Sequence, residues 1–351
     1  MKKNIYSYGI WLLFLLPGFF SSHAVAQQKQ ENILCIAFYN LENLYDTIDD
    51  PATDDLEFTP AGPAKWDSKR YHEKLSHLAS VISQIGDDSI HSSGPVIVGL
   101  AEVENKQVVE DLISTPPLDK MGYRIVHYDS PDKRGIDVAL IYQEKIFKVT
   151  GSHPVPLKIE GKDDFFTRDI LFVKGILKGQ PICVLVNHWP SRTKGQNETA
   201  PLRNAAADLC LKSVKEVQQM NREAGIIVMG DLNDDPVDES VIKHLEVKTE
   251  ATNLSTGDLY DPMYALFKNG KGTLEYKGKW NLFDQIIISS VFMKQTGNYY
   301  KFYKADVFKK EWMLEKEGKY KGNPFRTYAG TSYLGGYSDH LPVYLLLRKT
   351  K

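Results

Sequence analysis

Polar residues that can do chemistry stand at the ends of the apolar, strand-like runs of this sequence. They are Asn40, Glu102, Asn187-His188, Asp231 with Asn233, and Asp339-His340. A single aspartate after a strand is usually a turn residue, so the inference rests on the whole set. Carboxylate and amide oxygens without cysteine suit a hard cation such as Mg²⁺ or Mn²⁺ rather than zinc. Histidine can exchange protons near neutral pH.

The elements that must position these groups are mainly strands. Apolar runs predict strands at 33–38, 95–101, 123–127, 137–142, 147–151, 168–177, 182–187, 226–229, 282–288 and 343–347. A helical period of apolar residues predicts helices at 69–85, 108–113 and 201–221. The polar segments 46–65, 253–279 and 296–336 are predicted to be surface loops around a site. Two packed sheets with helices outside, in one domain, fit this order.

The first residues have the pattern of a secretory signal peptide. Lys2 and Lys3 precede an apolar run at 10–20, and Ala24-Val25-Ala26 gives a small-residue cleavage site. The apolar run is shorter than the ~20 residues that a spanning helix needs. We expect a signal peptide at 1–26 and a single domain at 27–351. The domain should be exported to the periplasm or secreted, without stable insertion in a membrane, and should be a monomer.

Composition narrows the class of protein. Hydrophobic residues make up 42% and charged residues 25% of the 351 residues, which excludes a disordered chain, a collagen and a coiled coil. The formal net charge of −2 argues against a broadly basic coat for nucleic acid, but not against a local site. The three cysteines form no disulfide framework. Cys35, Cys183 and Cys210 are predicted to be small buried residues, and a Cys35–Cys183 bridge is left open.

Six short stretches, in order along the chain, carry a resemblance to a known family. They are Phe-Tyr-Asn-Leu-Glu-Asn at 38–43, Gly-Leu-Ala-Glu-Val at 99–103, Asn-His-Trp-Pro-Ser-Arg at 187–192, Gly-Asp-Leu-Asn at 230–233, Phe-Asp-Gln-Ile-Ile at 283–287 and Ser-Asp-His-Leu-Pro-Val at 338–343. The chain resembles the endonuclease/exonuclease/phosphatase superfamily, which includes deoxyribonuclease I, exonuclease III, neutral sphingomyelinases and inositol polyphosphate 5-phosphatases. The resemblance implies a four-layer α/β-sandwich, with two mixed β-sheets face to face and helices outside. It also implies phosphoester hydrolysis that depends on a divalent metal.

The resemblance implies roles for the strand-end residues. Glu102 becomes the first metal ligand, supported by Asn40, and Asp339 lies on the metal side. Both Mg²⁺ and Mn²⁺ fit these oxygen donors.

The remaining site residues are expected to handle protons and phosphate. His340 is the candidate general base, and Asp284 is expected to orient it. Asp231 and Asn233 would orient the attacking water and the phosphate, and His188 would donate to a phosphoryl oxygen. The division of acid and base roles between histidine and aspartate stays open.

Several residues have two interpretations each. Glu42 is either a metal residue acting through water or a surface residue, and Asp137 is either a site-facing acid or a strand-start residue. Arg192 and Arg203 either touch phosphate or form salt bridges. A set of aromatic residues either forms a stacking or lipid-facing platform or packs loops onto the sandwich. They are Trp189, Trp280, Trp312, Tyr299, Tyr300, Tyr303, Tyr328, Tyr333 and Tyr337.

The leading functional hypothesis is an exported nuclease that cleaves DNA or RNA with water activated by His and Asp. The alternative is a phosphoesterase acting on inositol phosphates or sphingomyelin-type lipids, since fold does not fix substrate. A third class, a non-catalytic binding protein, would be marked by loss of a catalytic residue. None of the eight expected site residues is missing.

Overall fold

The computed structural model describes Met1 and residues 33–86, 94–159, 161–294 and 299–349. Apart from Met1, the predicted signal peptide at 1–26 lies outside the described residues and stays a prediction. No helix in the described part of the chain is long and apolar enough to cross a bilayer.

Most of the described chain is organised by β-structure. The strands in chain order are β1 Ile33–Leu44, β2 Ile97–Val103, β3 Tyr123–His127, β4 Asp137–Gln143, β5 Phe147–Val155, β6 Ile170–Leu177, β7 Gln180–His188, β8 Gly225–Asp231, β9 Val247–Lys248, β10 Leu259–Tyr260, β11 Leu274–Tyr276, β12 Lys279–Asn281, β13 Asp284–Ser289, β14 Lys301–Val307, β15 Tyr328–Ala329, β16 Ser332–Tyr333 and β17 Val343–Arg348. The α-helices are α1 Ser68–Gln84, α2 Lys106–Ser114, α3 Gln196–Met220 and α4 Met263–Lys268.

Two large mixed sheets form the centre of the molecule. One has six strands in the order β14-β17-β1-β2-β4-β3, and the other has seven in the order β5-β6-β7-β8-β13-β10-β9. β1 runs parallel to β2 and antiparallel to β17. β7 runs parallel to β8, which is antiparallel to β13. The residues that the sequence singles out lie toward the carboxyl ends of these parallel pairs, at the start of β13 and just before β17.

The layers follow from the alternation of side chains along each strand. Ile36 and Phe38 of β1 point between the sheets, where they join a core formed by residues of both sheets. Ala37 and Tyr39 point outward into a second core shared with α1 and α2. A third core joins the other sheet to α3. The predicted four-layer α/β-sandwich is confirmed.

Several predicted boundaries differ from the structure, two of them by five residues or more. β1 continues past its expected end at residue 38 to Leu44, because buried Leu41 and Leu44 extend the apolar pattern beyond polar Asn40. α3 begins at Gln196, before Pro201. The Arg203 guanidinium donates to the Gln196 carbonyl and the Thr199 hydroxyl, and these bonds stabilise that first turn.

The segments predicted to be long loops contain regular structure. Segment 253–279 includes β10, α4 and most of the β11–β12 hairpin, and segment 296–336 includes β14. β14 pairs with β17 at the edge of the first sheet, where a strand can keep polar residues in partial contact with solvent. Because the sequence of β14 is polar, a search for apolar runs does not detect this strand. The three cysteines are buried and free, so the Cys35–Cys183 bridge does not form.

Candidate active site

The strand ends that carry the polar residues have an irregular backbone. Glu42, Asn43, Glu102 and Asn233 have φ values of 54°, 52°, 61° and 49°. The β1–β2 register shifts between Asn40 and Leu44, and the β2–β4 register shifts on either side of Glu102. Positive φ is uncommon for residues other than glycine, and such bulges redirect side chains next to active sites. The backbone here is therefore shaped to gather side chains rather than to continue the ladders.

A carboxylate–imidazole–carboxylate cluster lies at the centre of this edge. His340 Nδ1 lies 2.7 Å from Asp284 Oδ2, and His340 Nε2 lies 3.8 Å from Asp231 Oδ2. Asp284 and Asp231 are paired across β13 and β8. Burial alone would lower the pKa of His340, but the Asp284 and Asp231 carboxylates raise it well above its usual value. Asp284 therefore fixes one ring nitrogen, and the other faces Asp231.

Asp231 is held by groups from more than one direction. Asn40 Nδ2 donates to its Oδ2 at 3.0 Å, and the Asn233 backbone N–H donates to its Oδ1 at 2.9 Å. Asn233 in turn donates its side-chain amide to the Trp189 carbonyl at 3.0 Å. Burial raises the pKa of Asp231 to about 6. Asn40 and Asn233 thus orient the Asp231 carboxylate in addition to any contact with substrate.

His188, on β7, links the two sheets at the site because it lies near Glu102 of the other sheet. Its Nε2 lies 3.7 Å from Asp231 Oδ2 and 3.9 Å from Glu102 Oε1. Its Nδ1 is buried without a hydrogen-bond partner among the described residues. Burial, with smaller contributions from Arg168 and Arg134, lowers the pKa of His188 well below its usual value. Burial therefore favours the neutral form of His188, whereas the two carboxylates favour the protonated form of His340.

Several oxygen atoms of these residues are suited to a cation. Glu102 Oε2 accepts the Asn43 N–H at 2.9 Å, and its Oε1 has only the distant His188 contact among the described residues. Asn40 Oδ1 accepts the Glu42 N–H at 3.0 Å and keeps a second lone pair. Asp284 Oδ1 is buried and has no partner in the described part of the chain. Such hard donors fit Mg²⁺ or Mn²⁺. The ligand atoms of Asp231, Asp284 and His340 also lie within 4.8 Å of one another.

The structure brings the predicted residues together at one edge. Contacts shorter than 4 Å connect Asn40, Glu102, His188, Asp231, Asn233, Asp284 and His340. Asp339 lies beside His340, and its charge raises the pKa of both His340 and Glu42. The catalytic and metal-binding roles of these eight residues remain predictions.

The two arginines left open by the sequence both form ion pairs. Arg192 Nη2 and Arg203 Nε each lie 2.7 Å from Asp234 Oδ1. Arg203 is fully buried, and Arg192 also covers the Phe283 ring at 4.4 Å. The structure therefore supports the salt-bridge interpretation for both.

Glu42 and Asp137 also have defined positions. Glu42 is buried, accepts the Thr327 N–H at 2.6 Å and lies 3.8 Å from the buried Lys74 Nζ, so the surface interpretation is wrong. Burial raises the pKa of Glu42 to about 7. Asp137 accepts bonds from Ser130 and contacts His127 Nε2 at 3.0 Å. These bonds fit a strand-start residue that holds the preceding turn.

Three supporting residues were not predicted from the sequence. Ser338 donates to the Asn40 carbonyl at 2.8 Å and accepts the His340 N–H at 3.0 Å, so it joins two parts of the site. Lys74 is a single charge on the buried face of α1, and Asp234 directly follows Asn233. The charge on an apolar helix face was the signal that could have revealed Lys74.

The comparison that decides the family covers nearly the whole described chain. A model of the endonuclease/exonuclease/phosphatase family matches residues 35–349. The chain belongs to this family. Its members are phosphoester hydrolases, generally dependent on divalent metals. The resemblance drawn from the six sequence stretches is therefore confirmed.

Solved structures of family members share the fold. D. rerio TDP2 complexed with single strand DNA product is 14% identical, covers 90% of this chain and 99% of its own, and has a TM-score of 0.55. The human nocturnin catalytic domain with bound sulfate anion is 18% identical, with coverages of 91% and 94% and a TM-score of 0.54. A Bacteroides thetaiotaomicron family protein is 17% identical, with coverages of 91% and 95% and the same score. Among curated proteins, none matched by sequence.

Proposed function

We propose that this chain is an exported, Mg²⁺- or Mn²⁺-dependent phosphodiesterase that cleaves nucleic acid. The observation that carries the proposal is the buried cluster around His340. Asp284 binds one ring nitrogen at 2.7 Å, and the other ring nitrogen faces Asp231 at 3.8 Å. That gap exceeds a direct hydrogen bond, so both groups can contact one shared oxygen atom of water or phosphate.

The residues have separable tasks in this proposal. Asp284 keeps the His340 ring oriented, while Asn40 and Asn233 do the same for Asp231. The proton of the attacking water passes to Asp231 Oδ2, and His340 Nε2 donates a hydrogen bond to the reacting oxygen or to the phosphate. His188, held mainly neutral by burial, donates a hydrogen bond to a phosphoryl oxygen. Glu102, Asn40 and Asp339 would hold the cation, which supplies neutralisation of the phosphoryl charge.

Two further observations support the substrate and the location. The similar D. rerio TDP2 structure contains a single strand DNA product. The signal-peptide pattern at 1–26 supports export to the periplasm or medium.

Export is tested by sequencing the amino terminus of the protein recovered from the periplasmic fraction and from the culture medium. Gln27 is the expected first residue, and a cytoplasmic protein beginning at Met1 would contradict export.

The function is tested with purified residues 27–351 on a substrate panel. The panel holds supercoiled DNA, single-stranded RNA, an inositol polyphosphate and sphingomyelin, each with Mg²⁺, Mn²⁺ or EDTA. We expect metal-dependent cleavage of nucleic acid that falls by about 10²–10⁴-fold in His340→Ala. His244→Ala, on a histidine that pairs with exposed Asp208, is the matched control and should keep full activity. Cleavage of only the inositol phosphate or the lipid would refute the nucleic-acid part.

A further inference from the structure

A cavity with basic and aromatic walls is formed by two segments that also contact the elements of the candidate active site. We call it the basic–aromatic groove, and its lining includes Tyr276, Lys277, Trp280, Lys319, Tyr320 and Arg326. Its volume of about 520 Å³ falls within the ~300–1,000 Å³ range of ligand sites. None of its lining residues has a role in the catalytic proposal.

Both walls of the groove are tied to the catalytic strands. On one side, the β11–β12 hairpin follows Thr273, whose carbonyl accepts the Leu341 N–H at 2.7 Å, next to His340. On the other side, Arg326 precedes Thr327, whose N–H donates to Glu42 at 2.6 Å. The segments that form the groove are therefore anchored to the elements that carry the catalytic cluster.

The groove concentrates positive charge in a chain of net charge −2. Segments 274–281 and 309–326 together contain more Lys and Arg residues than Glu residues. One of those acids, Glu275, already accepts hydrogen bonds from Asn323 and the Gly278 backbone. The local surplus attracts a polyanion even though the whole chain does not.

Two aromatic rings of the groove remain open to solvent. Tyr276 is 62% exposed and Tyr320 is 45% exposed. The ammonium groups of Lys277 and Lys319 lie 5.1 Å and 5.3 Å from the centres of these two rings. By contrast, Trp312, Tyr328, Tyr333 and Tyr337 pack against the core cluster next to α1. The packing interpretation therefore holds for these four residues, whereas Tyr276 and Tyr320, which the sequence analysis did not single out, have exposed rings.

We propose that the basic–aromatic groove binds the single-stranded nucleic acid that flanks the scissile phosphate. Bases stack on Tyr276 and Tyr320, and the phosphates pair with Lys277, Lys319 and Arg326. An exposed tyrosine next to a lysine suits one nucleotide, because the ring can stack on the base and the ammonium group can pair with the phosphate. This inference names the substrate form for the proposed function and rests on it for the link to catalysis.

Binding is measured in EDTA, so that no cleavage occurs, by the fluorescence anisotropy of a short labelled oligothymidylate. Tyr276→Ser and Tyr320→Ser should each weaken binding by about 5- to 150-fold, which corresponds to ~1–3 kcal/mol for one stacked base. Tyr303→Ser is the matched control, since Tyr303 is 47% exposed on β14 and should not affect binding.

The charge contribution is measured from the salt dependence of the same binding. The double variant Lys277→Ala/Lys319→Ala should reduce the slope of log affinity against log salt by about 0.7 for each phosphate that the protein no longer neutralises. Lys212→Ala/Arg222→Ala removes the same charge at positions on and just beyond α3 and should leave the slope unchanged.

Three results would overturn the proposal. The first is equal binding by the groove variants and their controls. The second is equally tight binding of an abasic oligomer of the same length, which would exclude stacking. The third is oligothymidylate binding that the groove variants keep while they lose binding to phosphatidylserine vesicles, which would assign the groove to lipid.

Hydrolysis of bis(p-nitrophenyl) phosphate should be unchanged in the groove variants. If the wild type cleaves neither nucleic acid nor bis(p-nitrophenyl) phosphate, the proposed function is refuted and the binding result stays intact.

Discussion

At the level of single residues, Asp231 is the side chain on which the site converges. It is nearly inaccessible to solvent, and Asn40, Asn233, His188 and His340 all lie within 3.8 Å of its oxygens. A buried carboxylate is stabilised only where polar groups surround it. The amides and imidazoles of the site therefore support Asp231 before any substrate binds.

A second buried aspartate, outside the catalytic motifs, predicts a pH dependence of stability. Burial raises the pKa of Asp261 from 3.8 to about 7, and its Oδ2 has no partner among the described residues. The unfolded chain therefore releases this proton at a lower pH than the folded protein does. The resulting loss in the free energy of unfolding is absent below pH ~4, grows as pH rises and is complete above pH ~7.

Asp261→Asn removes this titration and should gain stability over the wild type as pH rises between those limits. The gain at pH 8 should be about 4 kcal/mol at most. The measurement is urea unfolding of both proteins from pH 4.5 to 8. Asp119→Asn, at an exposed position, should follow the wild-type profile. A difference between Asp261→Asn and wild type that does not change with pH would contradict the assignment.

At the level of elements, the parallel β7–β8 pair positions His188 and Asp231 opposite each other. Their close approach depends on Gly230, because a Cβ there would lie 2.3 Å from the backbone oxygen of Asn187. Gly99 has a different environment, since its Cβ would meet Met229 Sδ at 2.5 Å in a flexible side chain.

Gly230→Ala should therefore destabilise the protein by about 1–3 kcal/mol and reduce diester hydrolysis, because β7 must move away from β8. Gly99→Ala should have the smaller effect on both, since the Met229 side chain can shift. Urea unfolding and hydrolysis of bis(p-nitrophenyl) phosphate measure the two effects. Equal losses in the two variants would show that the backbone contact at Gly230 does not control the strand pair.

The elements also show what sequence patterns can and cannot predict. The inner strands β1, β2, β7 and β8 are apolar on both faces, and buried runs of this kind are visible in a sequence. β14 was not predicted, because its pairing with β17 allows a strand to form from a polar sequence. The positive φ of Glu102 and Glu42 was not predicted either, because it occurs where the strand register shifts, which a sequence pattern does not show.

At the level of the whole molecule, the order of six motifs was enough to predict the fold and the edge that holds the site. Residue types at strand ends and the Asp284–His340 contact could be predicted, but the other partners described above could not. The Glu42–Lys74 pair and the Arg192–Asp234–Arg203 cluster join residues distant in sequence. Such pairs depend on three-dimensional packing, which a single sequence does not encode in a local pattern.

The central claim is that this edge of the sandwich holds a catalytic divalent cation. The most direct test is the rate of bis(p-nitrophenyl) phosphate hydrolysis against Mg²⁺ concentration for Glu102→Gln and for the control Glu104→Gln. Glu104 is a nearby buried glutamate that accepts the Asp46 N–H at 2.5 Å and lies outside the proposed ligand set. Supporting residues of metal sites typically contribute about 10–100-fold in affinity or activity, so a ligand should contribute at least that much. Glu102→Gln should raise the half-maximal Mg²⁺ concentration by about 10-fold or more, while Glu104→Gln should match the wild type. Unchanged Mg²⁺ dependence in Glu102→Gln, or wild-type activity that survives EDTA, would contradict the account.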